Sequence, residues 1–245
     1  MPRAGIVDFM KSKFLAEFIG TFTLVFAGVG SVMVAERFPG SVNAGTVPIV
    51  FGLAVAVMIY AVGHISGAHF NPAVTAAFTV ARHFPVKQVI PYWFAQFAGA
   101  VLAAVILRFT LPEGQNVGVT AWHVPVGSAF LWEIVLTFFL MFVIVSVATD
   151  TRAVGMMAGL AIGGTVTMGA YIGGPVTGAS MNPARSFAPA LMAGQFENLW
   201  LYFVAPLIGA ILAAYVYEKI RCEAKMPEGP IDTSERAQKD AKGCC

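Results

Sequence analysis

Charge is what this sequence has least of. Only 11% of its 245 residues are Asp, Glu, Lys or Arg, against about 25% in a soluble domain. So few charged groups cannot dress a water-facing surface of this size, which excludes a free-standing soluble fold. Cysteine is almost as scarce. Cys222, Cys244 and Cys245 stand at or beyond the end of the last apolar segment, leaving no disulfide framework and no cysteine metal site in the body of the chain. The terminal Cys244-Cys245 pair reads as part of a dangling tail, with a lipid-attachment or soft-metal site as the alternative. The net charge is +2 and the basic residues are dispersed, so nucleic acid is not an expected partner. His and Asp are nearly missing from the apolar segments. No nucleophile–base pair or metal cluster can be assembled there, and neither an enzyme nor a cofactor is expected.

What is abundant is apolar surface: 58% of residues are hydrophobic and mean hydropathy is +0.75. A membrane-spanning helix needs ~20 mostly apolar residues. Six such segments are predicted, at about 14–35, 46–63, 89–108, 128–149, 155–172 and 200–220. Residues 1–222 read as one domain, and 223–245 as a polar, disordered tail. The first apolar segment is long enough to span and lacks a small-residue cleavage site, so no cleavable signal peptide is expected.

Lys and Arg fix the expected orientation. Six spans put both termini and the 82–88 and 150–154 loops on one side. That side holds Arg3, Lys11, Lys13, Arg82, Lys87, Arg152 and the six basic residues from Lys219 onward, whereas the other holds only Arg37 and Arg108. Both termini are therefore expected in the cytoplasm. The short termini fit a prokaryotic inner (plasma) membrane.

The two halves of the chain repeat. Glu17-x-x-x-Thr21 recurs as Glu133-x-x-x-Thr137, and Ala95-x-x-x-Gly99-Ala100 as Ala205-x-x-x-Gly209-Ala210. Between them, Ser66-Gly-Ala-His-Phe-Asn-Pro-Ala-Val-Thr75 recurs as Thr177-Gly-Ala-Ser-Met-Asn-Pro-Ala-Arg-Ser186. Three spans per half is an odd number, so the halves of about 14–108 and 128–220 must enter the membrane in opposite senses. Inverted repeats place a functional site near the midplane, where the halves meet.

The Asn-Pro-Ala boxes, Asn71-Pro72-Ala73 and Asn182-Pro183-Ala184, carry the function. Asn caps a helix and Pro suits its first position, where a missing N–H costs nothing. The runs 71–82 and 182–193 give ~18 Å of helix each, roughly half of a ~30 Å bilayer core. Each is a half-helix, and inversion brings the two capped ends together. The irregular stretches before the boxes, 63–70 and 173–181, carry main-chain groups that lipid cannot satisfy, so they must line a water-filled cavity. Two helix N-termini add about half a positive charge each at the meeting point. Cations and hydronium are repelled there, while the asparagine amides can still donate to a neutral oxygen.

With both boxes, the Gly63-His64-Ile65-Ser66-Gly67-Ala68-His69 lead-in, the paired Glu17 and Glu133, and Arg185 just after the second box, residues 14–220 resemble the aquaporin (major intrinsic protein) family. The resemblance implies an all-α membrane fold of six transmembrane helices plus two re-entrant half-helices. It also implies one pore per protomer and a homotetramer. Its selectivity filter, counted from the boxes, carries over to Phe51, Ala170, Ala179 and Arg185. Arg185 has a reading of its own: an ionised Arg within the membrane costs about 2.5–3.5 kcal/mol or more, so it must face water and carbonyls. Its alternative is an ion pair with Glu17 or Glu133.

The two filter alanines depart from water-selective relatives, which place a histidine at the Ala170 position. The Phe-Ala-Ala-Arg set looks like the nodulin-26-like branch, implying passage of glycerol, urea-sized solutes and undissociated boric or arsenous acid besides water. Ser186, Ala190, Tyr202 and Phe203 look instead like the water-channel side, which keeps a strictly water-selective pore open as the alternative. An ion-coupled secondary transporter is a further alternative, but it needs midplane ionisable groups beyond two glutamates and one arginine.

The remaining conspicuous residues have supporting readings. Glu17 and Glu133 are expected to accept N–H groups from the irregular loops and hold them in place. His64 and His69 are grouped with them as loop-packing residues, with lining of the vestibule or gating with pH as the alternative. Trp93, Trp122, Trp132 and Trp200 read as interfacial anchors, and Gly99, Gly209 and Gly163-Gly164 as sites of close helix crossing.

Overall fold

The computed structural model describes residues 3–43, 45–111, 118–150 and 155–221, with side chains from Met10 onward. The proposed tail, 223–245, and all three cysteines lie outside the described residues. Among the described residues eight α-helices follow one another: α1 Arg3–Arg37, α2 Thr46–Ser66, α3 Pro72–Val80, α4 Val89–Thr110, α5 Val126–Thr149, α6 Ala158–Thr177, α7 Pro183–Ala193 and α8 Leu199–Ile220. Short 3-10 turns at Val86–Gln88 and Gly155–Met157 lead into α4 and α6. All helices except α3 and α7 are long and apolar enough to cross a membrane, α1 from Met10 onward. The described residues contain no strand.

The packing is that of an inverted repeat. Within each half, α1 packs on α2 and α4, and α5 on α6 and α8. Between halves, α2 packs on α6, while the short helices are exchanged: α3 lies against α8 and α7 against α4. Glycines set the tightest crossings. A Cβ on Gly99 would overlap the Phe18 carbonyl, and one on Gly209 the Ile134 carbonyl, so α4/α1 and α8/α5 meet backbone to backbone at matching places. Gly163 and Gly52 do the same for α6 and α2. Gly164, expected to share that role, has nothing within 4 Å of its Cβ position and contributes no crossing.

Two expected boundaries move. The irregular stretches before the boxes are shorter than 63–70 and 173–181, because α2 continues to Ser66 and α6 to Thr177. Gly67 (φ +90°) and Gly178 (φ +77°) end these helices in the left-handed conformation, and their N–H groups return to the Gly63 and Gly174 carbonyls. Such a cap needs glycine, so the helix ends where the αL glycine stands and not at the first glycine met. Pro175 lies inside the last turns of α6. Its fixed φ is helical, but it has no N–H to donate to the Tyr171 carbonyl, so the last turns of α6 lack one backbone hydrogen bond. The first half-helix, capped by Asn71, ends at Val80 and so short of 82, whereas the second, capped by Asn182, runs to Ala193 as expected.

Candidate functional site

The site is built from two helix N-termini that meet tip to tip. Asn71 and Asn182 have extended backbones (φ −154° and −156°) and cap α3 and α7. Asn71 Oδ1 accepts the Ala73 N–H at 2.9 Å, and Asn182 Oδ1 accepts those of Ala184 at 3.0 Å and Arg185 at 3.4 Å. Pro72 and Pro183 occupy the first helical positions. With each oxygen turned inward, each amide nitrogen points across the midplane. Asn71 Nδ2 donates to the Met181 carbonyl (2.7 Å), and Asn182 Nδ2 to the Phe70 carbonyl (2.9 Å). An amide has two N–H donors, so each asparagine keeps one beyond this cross-link, and both side chains border the central cavity.

The loops before the boxes are held from behind. Glu17 on α1 is fully buried and accepts four hydrogen bonds: Ser66 Oγ and the His69 N–H on Oε1, the Phe70 N–H and Gln96 Nε2 on Oε2, all between 2.7 and 2.9 Å. Glu133 on α5 accepts the equivalent three from Thr177 Oγ1, the Ser180 N–H and the Met181 N–H, at 2.7, 2.9 and 2.9 Å. Tyr92 Oη donates to the Ser66 carbonyl and Tyr202 Oη to the Thr177 carbonyl, both at 2.8 Å. These bonds hold a backbone that ordinary side chains resist. Ala68, Phe70, Ala179 and Met181 have φ of 51°, 49°, 43° and 52°, a region costing about 1 kcal/mol or more per non-glycine residue. Among the described residues, no protein donor reaches the carbonyls of Gly67–His69 or Gly178–Ser180. Most of these residues line the cavity, so their carbonyls are available to a passing donor.

That cavity has a volume of about 460 Å³. It runs from Tyr60, His64 and Gly159 at one end, past both boxes, to Phe51, Ala170, Ala179 and Arg185 at the other. Leu24, Val55, Ile59, Ile144, Ile162 and Val166 make an apolar wall facing the two loops. At the far end Arg185 Nη1 donates to the Gly118 carbonyl (3.0 Å), and the guanidinium lies over the Phe51 ring, 5.2 Å from its centroid. Glu17 and Glu133 form no ion pair with it, since their oxygens serve the loops. Arg185 Nε is buried without a protein partner.

The sequence-derived set is therefore largely gathered in one place, with one exception among the histidines. His69 belongs to the loop support: its ring lies 3.0 Å (Nδ1) from Thr75 Oγ1 and packs against Phe78, Phe84 and Tyr92. His64 does not. It is exposed and borders the mouth of the cavity, with no bond to Glu17 or the loop. Trp93 is more than an anchor, because its Nε1 donates to the Pro72 carbonyl at 3.1 Å. Sequence reasoning missed Gln96, Tyr92 and Gly118 altogether, and the loop-holding role of Tyr202. The tyrosines were detectable, since Tyr-x-x-Ala-x-x-x-Gly-Ala recurs at Tyr92–Ala100 and Tyr202–Ala210. Gln96 was not: its counterpart by the same count is Pro206, so it breaks the repeat.

Comparison with known proteins agrees with this arrangement. The chain matches the family described as major intrinsic protein over residues 5–217. It is 45% identical to nodulin-26 of Glycine max over 248 aligned residues, covering 97% of this chain and 86% of that protein. It is 48% identical to aquaporin NIP1-1 of Oryza sativa subsp. japonica, covering 85% of this chain and 74% of that one. The X-ray structure of the aquaglyceroporin from Plasmodium falciparum superposes with a TM-score of 0.75 at 26% identity, covering 87% of this chain and 97% of that one. Residues 5–217, with their exchanged half-helices and paired caps, belong to the major intrinsic protein (aquaporin) family.

Proposed function

We propose that this chain is a passive transmembrane channel for water and small uncharged solutes, and that Phe51, Ala170, Ala179 and Arg185 are its selectivity filter. The observation that carries the reading is the pair of asparagine-capped helix N-termini meeting on one continuous cavity. Their partial charges add rather than cancel, so a cation loses hydration there and gains repulsion. A neutral solute instead meets a line of carbonyl acceptors, two amide donors and an apolar wall along which carbon can slide.

The solute class follows from the far end. Among the described residues, Phe51 and Arg185 are its large side chains, and Ala170 and Ala179 leave their sides open. Glycerol can lay its carbon backbone along the apolar side while its hydroxyls bond Arg185. Urea-sized molecules and undissociated boric or arsenous acid are uncharged, compact and carry several hydroxyl or amide groups, which suits that mixture. Its similarity to nodulin-26, NIP aquaporins and an aquaglyceroporin supports a pore for water and small neutral solutes. Coupling to an ion gradient is disfavoured because both buried glutamates are committed to the loops. We assign one pore to each protomer, a homotetramer, and a cell-membrane location with both termini in the cytoplasm, on the basic-residue asymmetry.

Stopped-flow light scattering on proteoliposomes, challenged separately with sucrose, glycerol, urea and boric acid gradients, tests this reading. Channel-dependent water flux with re-swelling in glycerol is expected. Water flux with glycerol excluded would favour a strictly water-selective pore, and transport driven by a proton or sodium gradient would overturn the channel.

A further inference from the structure

Phe51 owes its place to a residue that is not among those bordering the cavity. Its ring lies between two surfaces: the Arg185 guanidinium, 5.2 Å from the centroid, and the bare backbone of Gly28 in α1. A Cβ on Gly28 would overlap Phe51 Cε1 and Cδ1 and come within 2.6 Å of Cζ. Carbon atoms settle at about 3.5–4.0 Å, so the ring edge would have to retreat by roughly 1 Å or more.

The main chain has little freedom to absorb that retreat. Gly52, next to Phe51, lies so close to α6 that a Cβ would overlap Thr167 Oγ1 and the Gly163 carbonyl. The backbone of α2 is thus pinned against α6 at this level. On the other side Ser31 Oγ donates to the Gly28 carbonyl at 2.7 Å, and α1 is held by α4 at the Gly99 crossing. What remains free is the Phe51 side chain, and its open direction is the cavity. The following residue supports the opposite wall. A Cβ on Gly118 would overlap Val29 Cγ1, so Val29 packs beneath the residue whose carbonyl holds Arg185.

The inverted half shows the same space divided differently. Counted from Glu133, the counterpart of Gly28 is Ile144, and counted from Asn182 the counterpart of Phe51 is Ile162. Both isoleucines border the cavity. One half uses glycine with phenylalanine and the other two branched residues of middle size.

We infer that Gly28 sets the width of the filter by giving the Phe51 ring its seat, so that this α1 position is a specificity-determining, positioning residue. The inference rests on the filter assignment above. It is tested by comparing Gly28→Ala, Phe51→Val and the double variant in proteoliposomes, with water and glycerol flux measured on each and protein incorporation quantified. One methyl at a size-selecting site is worth roughly tenfold or more. Gly28→Ala is expected to lower glycerol flux by about that factor and water flux by less than about twofold. The double variant is expected to return to the glycerol-to-water ratio of Phe51→Val alone.

Equal slowing of both solutes by Gly28→Ala, an unchanged ratio, or a double variant as slow as Gly28→Ala would overturn the inference. If Phe51→Val alone leaves the ratio unchanged, it is the filter assignment that fails. Should Gly28→Ala not reach the membrane, recovery of the folded protein in the double variant still identifies the ring as what the methyl strikes. Failure of the double as well would make Gly28 a helix-packing residue and overturn the inference.

Discussion

The Asn71 side chain donates to the main-chain carbonyl of Met181 across 2.7 Å, joining residues 110 positions apart. With its mirror, Asn182 to Phe70, it makes each box both a cap for its own helix and a brace for the opposite loop. Asn71→Ala removes a cap worth about 1 kcal/mol. It also leaves the buried Met181 carbonyl without its donor, a further cost of about 1–3 kcal/mol. The expected outcome is a lower thermal midpoint in detergent, equivalent to about 2–4 kcal/mol in all. Asn71→Ser should recover only the capping part. An unchanged midpoint in Asn71→Ala would show that the cross-link carries no stability.

Glu17 and Glu133 hold equivalent loops with unequal support. Glu17 has a fourth donor, Gln96 Nε2, which also lies 3.0 Å from Thr75 Oγ1. In the other half Pro206 stands at that place, and Ser180 Oγ meets Ser186 Oγ at 2.6 Å instead. Gln96→Leu should therefore loosen the first loop only, costing about 1–3 kcal/mol for the buried acceptors left short of a donor. Hydrogen exchange checks this: faster exchange at His69 and Phe70, with Ser180 and Met181 unchanged. Equal acceleration of both loops would mean that they open as one unit. Glu17→Gln should be worse, because an NH₂ group would then face N–H donors.

How far the sequence discloses this molecule depends on the range of the signal. The spans, the half-helices and the inverted order follow from local hydropathy and from motifs that recur at fixed spacing. The boxes announce their own caps, because Asn followed by Pro is a local instruction. The end of α6 was misplaced since Gly173, Gly174 and Pro175 all look like breakers, and only tertiary context selects Gly178 as the residue that turns left-handed. Gln96 and Gly28 escaped for a different reason. Each acts through a contact with a distant segment, Glu17 or Phe51, and neither belongs to a recurring pattern.

Close helix crossings offer a contrast between two glycines on paper equally suspect. At Gly209 a methyl would strike the Ile134 carbonyl, whereas at Gly164 it would meet nothing within 4 Å. A main-chain carbonyl cannot swing aside like a side chain, so Gly209→Ala must push α8 off α5. The cost is expected at about 2 kcal/mol or more, in the range of overpacked cores. Gly164→Ala should be neutral or slightly stabilising, since alanine favours helix by about 1 kcal/mol. Thermal unfolding of the two variants side by side decides the matter. Similar losses in both would mean that small residues matter here for reasons other than backbone approach.

Ala170 tests the filter most directly. It borders the cavity at the same end as Phe51 and Arg185, and its methyl leaves that side open and without a donor. Ala170→His both fills this space and adds a ring N–H near the arginine. Water needs little width and gains a donor, whereas a three-carbon polyol loses the room for its backbone. Glycerol flux is expected to fall roughly tenfold or more, as for a size-selecting pocket, while water flux changes by less than about twofold. Stopped-flow traces on the same vesicles, first with sucrose and then with glycerol, give both numbers without correction for incorporation. If the two fluxes fall together, or neither moves, the filter lies elsewhere along the cavity. The next residues to examine would then be Ile144 and Ile162, the positions that match Gly28 and Phe51 in the inverted half.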